Sequence, residues 1–381
     1  MTRALERAPR ITVIAAVQPL TAGAAHFNTA MVGALRKRVA VDVISWRRMY
    51  PPVLYRGPQQ DESGLVEEAA FMLEWHDPRT WRRAARRLFD DQPDALVIPW
   101  LHPVMAVQSR WLLRHAPHGT RRVVVCHNVM PHEPIHGAAF LTRAALQEAD
   151  VLVTHARQQE NELLDLGLGG IRVLEAFHPR FVAADFAAAP TQETVSAERR
   201  RLGDPTLVLL CFGAVRPYKG VDLALDALAR VDPALSVKLI VAGRFWSDEK
   251  AYRRQVERLR IAERVELRNG YAANEEAALL FSIADAALLP YRSASQSGVV
   301  QLAFAHGCPV IATAVGGLPD AVRDGEDAIL CGRDDPNAIA RAIERMAREK
   351  DRFAAAVERR KGSHSFEHYA DLLTEAVGIR R

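Results

Sequence analysis

The chain has 381 residues, of which 49% are hydrophobic and 25% charged. This length is too great for one ordinary hydrophobic core and predicts two domains of common size. The formal net charge of +4 is only mildly basic. Because no nucleic-acid-binding motif accompanies the charges, we exclude nucleic acid as a partner. We expect neither a signal peptide nor a membrane span, since the apolar runs are short and interrupted.

The four cysteines lie far apart in the sequence, unlike the close pairs of metal sites and small disulfide frameworks. They are Cys126, Cys211, Cys308 and Cys331. We therefore expect reduced thiols and a cytoplasmic protein.

The N-terminal half alternates short apolar strands with amphipathic helices. A strand at 11–17, a helix at 25–38 and a strand at 39–44 make a predicted βαβ unit. Further strands are predicted at 95–99, 122–126, 151–154 and 171–174, with helices at 80–89 and 138–149. This alternation favours a parallel sheet with helices on both faces.

The C-terminal half repeats the pattern after a stretch without periodicity. Strands are predicted at 207–211, 237–242, 265–268, 286–289, 310–313 and 328–331, with helices at 221–229, 249–259 and 366–377. We predict an α/β protein of two Rossmann-like domains, with parallel sheets that face across a cleft. The predicted ranges are 1–185 for the N-terminal domain, 186–205 for a linker, 206–362 for the C-terminal domain, and 363–381 for a final helix that can pack back on the N-terminal domain.

A tight polar turn, Ser295-Gln296-Ser297-Gly298-Val299, lies between a predicted strand and an apolar helix. The free N–H groups and the positive dipole end of such a helix suit a phosphate or diphosphate. In parallel α/β sheets, ligands bind where a strand meets its helix in this way. The turn is therefore a candidate anion site.

A second cationic element, Phe212-Gly213-Ala-Val-Arg216-Pro-Tyr-Lys219-Gly220, follows the first strand of the same half. Arg216 can offer a planar bidentate fork to phosphate oxygens, and Lys219 a compact point charge. The alternative for Lys219 is a solvated loop lysine, but the surrounding aromatic, glycine and proline residues favour a phosphate role.

With these motifs in place, the C-terminal half resembles the retaining glycosyltransferases of family 4, which have the GT-B architecture. Three further segments carry the resemblance in the family's order and spacing: Phe281 to Tyr291, His306-Gly307-Cys-Pro309-Val-Ile-Ala312, and Val315-Gly316-Gly317-Leu-Pro319-Asp320. The N-terminal half matches more loosely, around Gly23 to Asn28 and Cys126 to Glu133. The resemblance implies transfer of a hexosyl unit from a nucleoside diphosphate sugar to an acceptor hydroxyl, with retention and without a metal or other cofactor. It implies a place in polysaccharide or glycoconjugate biosynthesis.

The sequence departs from the family at several of its usual contacts. Ala294 and Leu302 stand where the family pattern has two glutamates, and Ala214 stands where it has the arginine that here comes two residues later. We expect Gln296 and Ser297 to supply polar contacts near the diphosphate and sugar instead.

The resemblance also implies roles for residues outside the two anion motifs. Arg216, Lys219 and His127 are the catalytic candidates, and the donor-binding candidates are Gly23, Gly213, Arg244, Asn269, Tyr271, Ser295, Gln296, Ser297, Gly298 and Val299. His26, Asn128, His132 and Glu133 are candidates on the acceptor side, where a sugar, a lipid-linked sugar or a small molecule would bind. For His127, a loop-capping role is an equal alternative. For His132 and Glu133, a loop salt bridge is the alternative, and for His26 a helix cap.

Five arginines fall on one face of the helix predicted at 80–89 and its flank: Arg79, Arg82, Arg83, Arg86 and Arg87. The stripe is either a solvated face or a contact with anionic headgroups at the inner surface of a membrane. Two rivals to the main hypothesis stay open as well. One is another GT-B-type enzyme, an epimerase or a phosphorylase. The other is a catalytically silent homologue that binds a nucleotide or a partner.

Overall fold

The computed structural model describes residues 8–20, 24–49, 66–131, 135–183, 187–246, 248–295, 297–360 and 364–379. The chain divides into two compact units. The first comprises Met1–Pro179 together with His364–Arg381, and the second comprises Arg180–Ser363.

The first unit is built on a seven-stranded sheet. Its strands are β1 (Arg10–Ile14), β2 (Ala40–Arg48), β3 (Ala70–Glu74), β4 (Ala95–Trp100), β5 (Arg121–Cys126), β6 (Val151–Thr154) and β7 (Arg172–Glu175). The order is β3-β2-β1-β4-β5-β6-β7, and all neighbours are parallel. Its helices are α1 (Ala25–Arg36), α2 (Pro78–Asp91), α3 (Ala106–Arg114), α4 (Ala138–Leu146), α5 (Arg157–Asp165) and α13 (Phe366–Ala376).

The central strand β4 is buried at all six positions, as expected for a parallel strand covered on both faces. The C-terminal helix α13 packs on α1 of the same unit. There the guanidinium of Arg38 binds both oxygens of Asp371 at 2.7 and 3.0 Å, and Lys37 Nζ lies 2.8 Å from Glu367 Oε1. The last helix of the chain therefore belongs to the unit formed by the first residues.

The second unit repeats the architecture with six strands. They are β8 (Leu207–Phe212), β9 (Val237–Ala242), β10 (Val265–Arg268), β11 (Ala286–Leu289), β12 (Val310–Thr313) and β13 (Ala328–Cys331). The order is β10-β9-β8-β11-β12-β13, again parallel throughout. Its helices are α6 (Gln192–Arg201), α7 (Val221–Leu228), α8 (Glu249–Leu259), α9 (Asn274–Ile283), α10 (Gly298–Ala305), α11 (Leu318–Ala321) and α12 (Pro336–Arg359).

The two parallel α/β sheets confirm the predicted fold class, but the segment between them differs from the prediction. The boundary falls between Pro179 and Arg180, and half of the predicted 186–205 linker is the helix α6 of the second unit. No residue of α6 is buried, so its sequence lacks the apolar period that reveals a helix. Polar contacts hold it instead: Arg199 Nη1 donates to the carbonyl of Ile283 at 2.8 Å.

All four cysteines are buried and carry free thiols. Burial raises the pKa of the Cys126, Cys211 and Cys331 thiols to about 12. They are therefore protonated and unreactive at neutral pH. Among the described helices, each is too short or too polar to cross a membrane.

Candidate functional site

The loop after β8 and the first turn of α10 meet at Gly213. This glycine has φ +89°, and a methyl group on its Cα would lie 3.1 Å from Lys219 Nζ and 4.0 Å from Val299 Cγ2. The fold thus brings three parts of the predicted anion site together. A side chain at position 213 would fill the space between them.

Lys219 ends the short turn Pro217–Lys219, and its ammonium points back into the unit. Its Nζ donates to the carbonyl of Phe212 at 3.1 Å and lies 5.5 Å from the centre of the Tyr291 ring. Desolvation lowers the pKa of Lys219 to about 8, and the nearby charge of Arg216 also lowers it. A small cavity beside it is lined by Cys211, Gly213 and Tyr291, among others. An ammonium in this setting is charged at neutral pH and gains from a bound anion.

Arg216 lies over the ring of Trp246, with its Cζ 4.3 Å from the ring centroid. The two loops that carry these residues are joined by their backbones. Val215 N donates to Arg244 O at 2.8 Å, and Trp246 N donates to Val215 O at 2.9 Å. The two backbone segments can approach so closely because Gly243 has no side chain. A Cβ at position 243 would lie 2.1 Å from Gly213 O. Sequence analysis named Arg216 but missed Trp246, since nothing in its local sequence marks the pairing.

The polar turn before α10 is tightly packed. Ser295 and Ser297 are 2% and 6% exposed, whereas Gly298 is exposed. The side chain of Ser297 is hydrogen-bonded to that of Tyr291, whose burial raises its pKa. Ser297 is the N-cap of α10, but among the described residues its side chain makes no capping bond to the helix. Val300 N donates to Ser297 O at 3.1 Å, so the N–H groups of Gly298 and Val299 are the candidates for a ligand. Gln296 lies outside the described residues.

Arg292 fixes the turn that carries Lys219. Its Nη1 and Nη2 bind the two oxygens of Asp222 at 2.8 and 2.6 Å, Nη1 also donates to Pro217 O at 3.0 Å, and its backbone N donates to Tyr218 O at 2.7 Å. Sequence analysis missed this residue, since its partners lie about seventy positions away. The contact of Arg292 with Asp222 joins the end of β11 to the start of α7.

The residues predicted to surround a nucleotide base differ in their hydrogen bonding and in their exposure. Asn269 Oδ1 accepts a hydrogen bond from Phe245 N at 3.0 Å, and its Nδ2 donates to Glu249 Oε2 at 2.6 Å. The side chain of Asn269 therefore braces the loop that carries Trp246. Tyr271 is 44% exposed at the next turn, and Arg244 is half-buried.

In the first unit, His127 follows β5 and is buried against Phe27, with ring centroids 4.6 Å apart and an edge-to-face geometry. Desolvation, reinforced by His178, lowers the pKa of His127 to about 3, so the imidazole is neutral at physiological pH. Its backbone is fixed from both sides: its N–H donates to Trp100 O at 3.0 Å, and its carbonyl accepts from Gln159 Nε2 at 2.9 Å. The buried Gln159 was not predicted. His127 can offer a neutral hydrogen bond but no charge.

Of the other candidates in the first unit, His26 is half-buried on the first turn of α1. Asn128 Nδ2 lies 3.4 Å from Leu101 O, at the outer limit of a hydrogen bond. Gly23, His132 and Glu133 lie outside the described residues.

Comparison with known proteins bears on both units. Residues 206–349 match the family model described as glycosyl transferases group 1. The D-inositol 3-phosphate glycosyltransferase of Geodermatophilus obscurus is 34% identical over 240 residues, which are 60% of this chain and 52% of that protein. The enzyme of the same name from Corynebacterium diphtheriae is 28% identical over 271 residues, 64% of this chain and 61% of that protein. The chain thus spans roughly half to three fifths of the length of these relatives.

Solved structures match over nearly the whole chain. HepE of Anabaena, determined with UDP and glucose, has a TM-score of 0.75 at 16% identity and covers 98% of this chain and 100% of its own. Sucrose-phosphate synthase of Thermosynechococcus elongatus has a TM-score of 0.71 at 19% identity, with 97% and 98% covered. Together with the two parallel sheets, these matches show the GT-B fold.

Proposed function

We propose that this protein is a glycosyltransferase that moves a sugar from a nucleoside diphosphate donor to an acceptor hydroxyl, with retention at the anomeric carbon and without a metal. The observation that carries the proposal is the meeting of Gly213, Lys219 and Val299, which puts a half-buried ammonium beside the N-terminus of α10. The group 1 match over residues 206–349 supports the same reaction class.

The residues of the second unit suit the charge that such a reaction develops. When the glycosidic bond to the donor phosphate breaks, negative charge builds on the leaving diphosphate. Lys219, Arg216 and the first N–H groups of α10 are donors held in place before the reaction, and preorganised donors stabilise such charge most effectively. The candidates of the first unit, His127 and Asn128 among them, would then serve the acceptor. Because His127 is neutral, we assign it a hydrogen-bonding role.

Two positions keep the rival functions open. Ala294 is buried, and its carbonyl accepts a hydrogen bond from Gly317 N at 3.2 Å, so it serves the packing of the loop. Leu302 is half-buried. Neither position offers a carboxylate to the sugar or ribose. An epimerase would use such carboxylates, which favours a transferase, whereas a silent homologue would tolerate their loss.

The test begins with nucleotide binding. Thermal shift with UDP, GDP, ADP and dTDP, in EDTA, is measured on the wild type, on Lys219→Ala and on Lys350→Ala as a control. Lys350 is a half-buried lysine that binds Asp285 at 3.0 Å. We expect one nucleotide to stabilise the wild type and the control, and Lys219→Ala to lose this effect. No stabilisation by any of the four would refute the donor site.

Turnover then separates the transferase from its rivals. The sugar-linked form of the stabilising nucleotide is incubated in EDTA with a panel of acceptors that includes D-inositol 3-phosphate and simple hexoses. Proton NMR of the product reads the anomeric configuration. A product with inverted configuration would contradict retention. Tight nucleotide binding with no turnover on any acceptor would favour the silent homologue.

We also propose that the exposed face of α2 rests on an anionic membrane surface. The apolar side of α2 is buried in the first unit, while Arg79, Arg82, Arg83 and Arg86 are exposed. Arg87 differs, because it is half-buried and pairs with Asp91 at 3.5 Å. Such a face is attracted to anionic lipid by charge and without insertion. Each arginine near the surface contributes about 1 kcal/mol of binding free energy.

Vesicle sedimentation tests this contact. Vesicles of phosphatidylcholine with phosphatidylglycerol are compared with pure phosphatidylcholine, for the wild type and for a triple change of Arg82, Arg83 and Arg86 to Ser. The control is a triple change of three exposed arginines of α12 to Ser, at Arg341, Arg348 and Arg359, which removes the same amount of charge from a different helix. We expect only the α2 variant to lose binding to the anionic vesicles. Equal losses in both variants, or no binding by the wild type, would leave the arginines as a solvated face.

A further inference from the structure

The stack of Arg216 on Trp246 joins a predicted phosphate ligand to an aromatic residue with no role so far. A parallel bridge between Val215 and Phe245 extends the sheet beyond β8 and β9. Val215 is buried in the core of the second unit. Because successive residues of an extended chain point to opposite sides, Arg216 and Trp246 emerge together on the other side of this bridge.

Arg216 also lies close to Lys219. Lys219 N donates to Arg216 O at 3.0 Å, so one tight turn joins the two residues. The charge of Arg216 also contributes to the lowered pKa of that lysine. Two neighbouring cations repel, so an unrestrained arginine side chain would move away into solvent. The face of an indole ring attracts a guanidinium, and Trp is the strongest of the aromatic residues in this respect. The ring of Trp246, at 4.3 Å, can therefore hold Arg216 beside Lys219.

Trp246 contacts the face of the Arg216 guanidinium. The five N–H donors of arginine lie in the plane of the group and point outward from its edge. An aromatic ring stacked on the face does not occupy them. Two of them can bind two oxygens of one phosphate side by side.

We infer that Trp246 is a positioning residue, which orients the Arg216 guanidinium next to Lys219 for the phosphates of the donor. The inference rests on the proposed function, since it supposes that the bound anion is a nucleoside diphosphate. Trp246 acts through Arg216, so its contribution vanishes when Arg216 is removed. Asn269 Oδ1 accepts a hydrogen bond from Phe245 N and so helps to fix the loop that carries Trp246.

Calorimetric titration with UDP, in EDTA, tests the inference on Trp246→Ala, Trp246→Phe, Arg216→Ala and the double variant Trp246→Ala with Arg216→Ala. A cation–π contact of this kind is worth a factor of roughly 2 to 5 in affinity. We expect Trp246→Ala to lose about that factor and Trp246→Phe to recover most of it. The double variant is expected to bind no more weakly than Arg216→Ala. Trp75→Ala, a change in the first unit, is the control.

Tryptophan fluorescence supplies a readout that a merely structural role would not move. Trp246 is one of six tryptophans. We expect UDP to change the emission of the wild type and of Trp75→Ala, and the change to disappear in Trp246→Phe. This second variant keeps the test valid even where Trp246→Ala does not fold.

The outcomes separate the inference from the function on which it rests. Unchanged UDP affinity in Trp246→Ala, or a double variant weaker than Arg216→Ala by the full Trp246→Ala factor, overturns the inference while the donor site stands. If the wild type binds neither UDP nor GDP, ADP or dTDP, the proposed function fails and the inference fails with it.

Discussion

The ammonium of Lys219 lies where a side chain at position 213 would point, and only the absence of a Cβ at Gly213 leaves room for it. The distance from an added Cβ to Lys219 Nζ would be 3.1 Å, which is tighter than ordinary contact. The glycine also has φ +89°, where an L side chain is strained.

Gly213→Ala should therefore weaken nucleotide binding more than it weakens the fold. Gly119 has φ +87° and no heavy atom within 4 Å of an added Cβ, so it reproduces the backbone strain alone. We expect both alanine variants to lose roughly 1–2 kcal/mol of unfolding free energy. Only Gly213→Ala should lose UDP affinity, by about tenfold or more, because the methyl group displaces Lys219. Equal affinities in the two variants, measured by calorimetry, would show that the contact with Lys219 is unimportant.

The lowered pKa of Lys219 predicts a pH dependence of binding. Its amine is charged below about pH 8 and becomes neutral above it in the unliganded protein. UDP affinity should therefore fall as the pH rises from about 7 to 9.5, by more than the effect of pH on UDP itself can explain. Lys219→Met should bind weakly at all these pH values and show a flat profile. A wild-type profile as flat as that of the variant would contradict this assignment.

Linkage gives the sign of the matching effect on stability. Between about pH 8 and 10.5 the unfolded chain holds a proton on Lys219 that the folded chain has lost. Stability attributable to this residue therefore rises with pH across that window and is lowest below it. Urea unfolding of the wild type and Lys219→Met at both ends of the window measures the difference. A wild type that gains no stability relative to Lys219→Met as the pH rises across the window would contradict the lowered pKa.

Two buried histidines of the first unit, His127 and His155, and the half-buried His178 should make it sensitive to acid. Desolvation lowers the pKa of His127 to about 3, that of His178 to about 4, and that of His155 well below its ordinary value. As pH falls through 6.5, the unfolded chain takes up protons that the folded chain does not. Stability is lost progressively towards pH 4, by up to about 1.4 kcal/mol per pH unit for each histidine.

Urea unfolding at several pH values, followed by the near-UV signal of the first unit, measures this slope. His178→Asn should reduce the slope, whatever it does to stability at neutral pH. His118→Asn, a change at an exposed histidine, should leave the slope unchanged. If the two variants have the same slope, His178 does not contribute to the acid sensitivity.

Arg292 predicts a coupling between stability and binding. Removing it leaves Asp222 without its bidentate partner and releases the carbonyl of Pro217 in the Lys219 turn. We expect Arg292→Ala to lower the free energy of unfolding by roughly 1–3 kcal/mol, the range for lost hydrogen bonds to charged groups. We expect the same change to weaken UDP binding. Arg253→Ala removes an exposed i,i+4 pair with Glu249 and should cost under about 0.5 kcal/mol without affecting UDP. Normal UDP binding by Arg292→Ala would show that the turn holds its shape alone.

The alternation of strands and helices was enough to predict where several of the candidate site residues lie in the fold. Once β8 and β11 are central parallel neighbours, Gly213, Lys219 and the 295–299 turn must follow strands at one edge of the sheet. The pairing of Arg216 with Trp246 depends instead on the bridge between Val215 and Phe245, which no local pattern encodes. Gln159 escaped prediction for a similar reason, since it bonds to residues more than thirty positions away.

Elements that are only partly buried were the harder part of the fold to predict. The helix α6 was interpreted as a linker because none of its residues is buried, so its sequence shows no clear apolar face. Ion pairs such as that of Glu198 with Arg268 at 2.5 Å connect it to the sheet. The strand β3 went unpredicted because its five residues, Ala70–Glu74, are mostly half-buried and do not alternate clearly. Hydrophobic periodicity reports burial, so it fails where burial is partial.

The place of α13 has a consequence for biosynthesis. A ribosome delivers residues up to Pro179 long before it delivers Phe366–Ala376, and the whole second unit is made in between. Until then the surface of α1 that later receives α13 is uncovered, and the partners of Arg38 and of the buried His155 do not exist. The nascent first unit is therefore unfinished throughout synthesis of the second, a period in which domains usually fold in order of emergence.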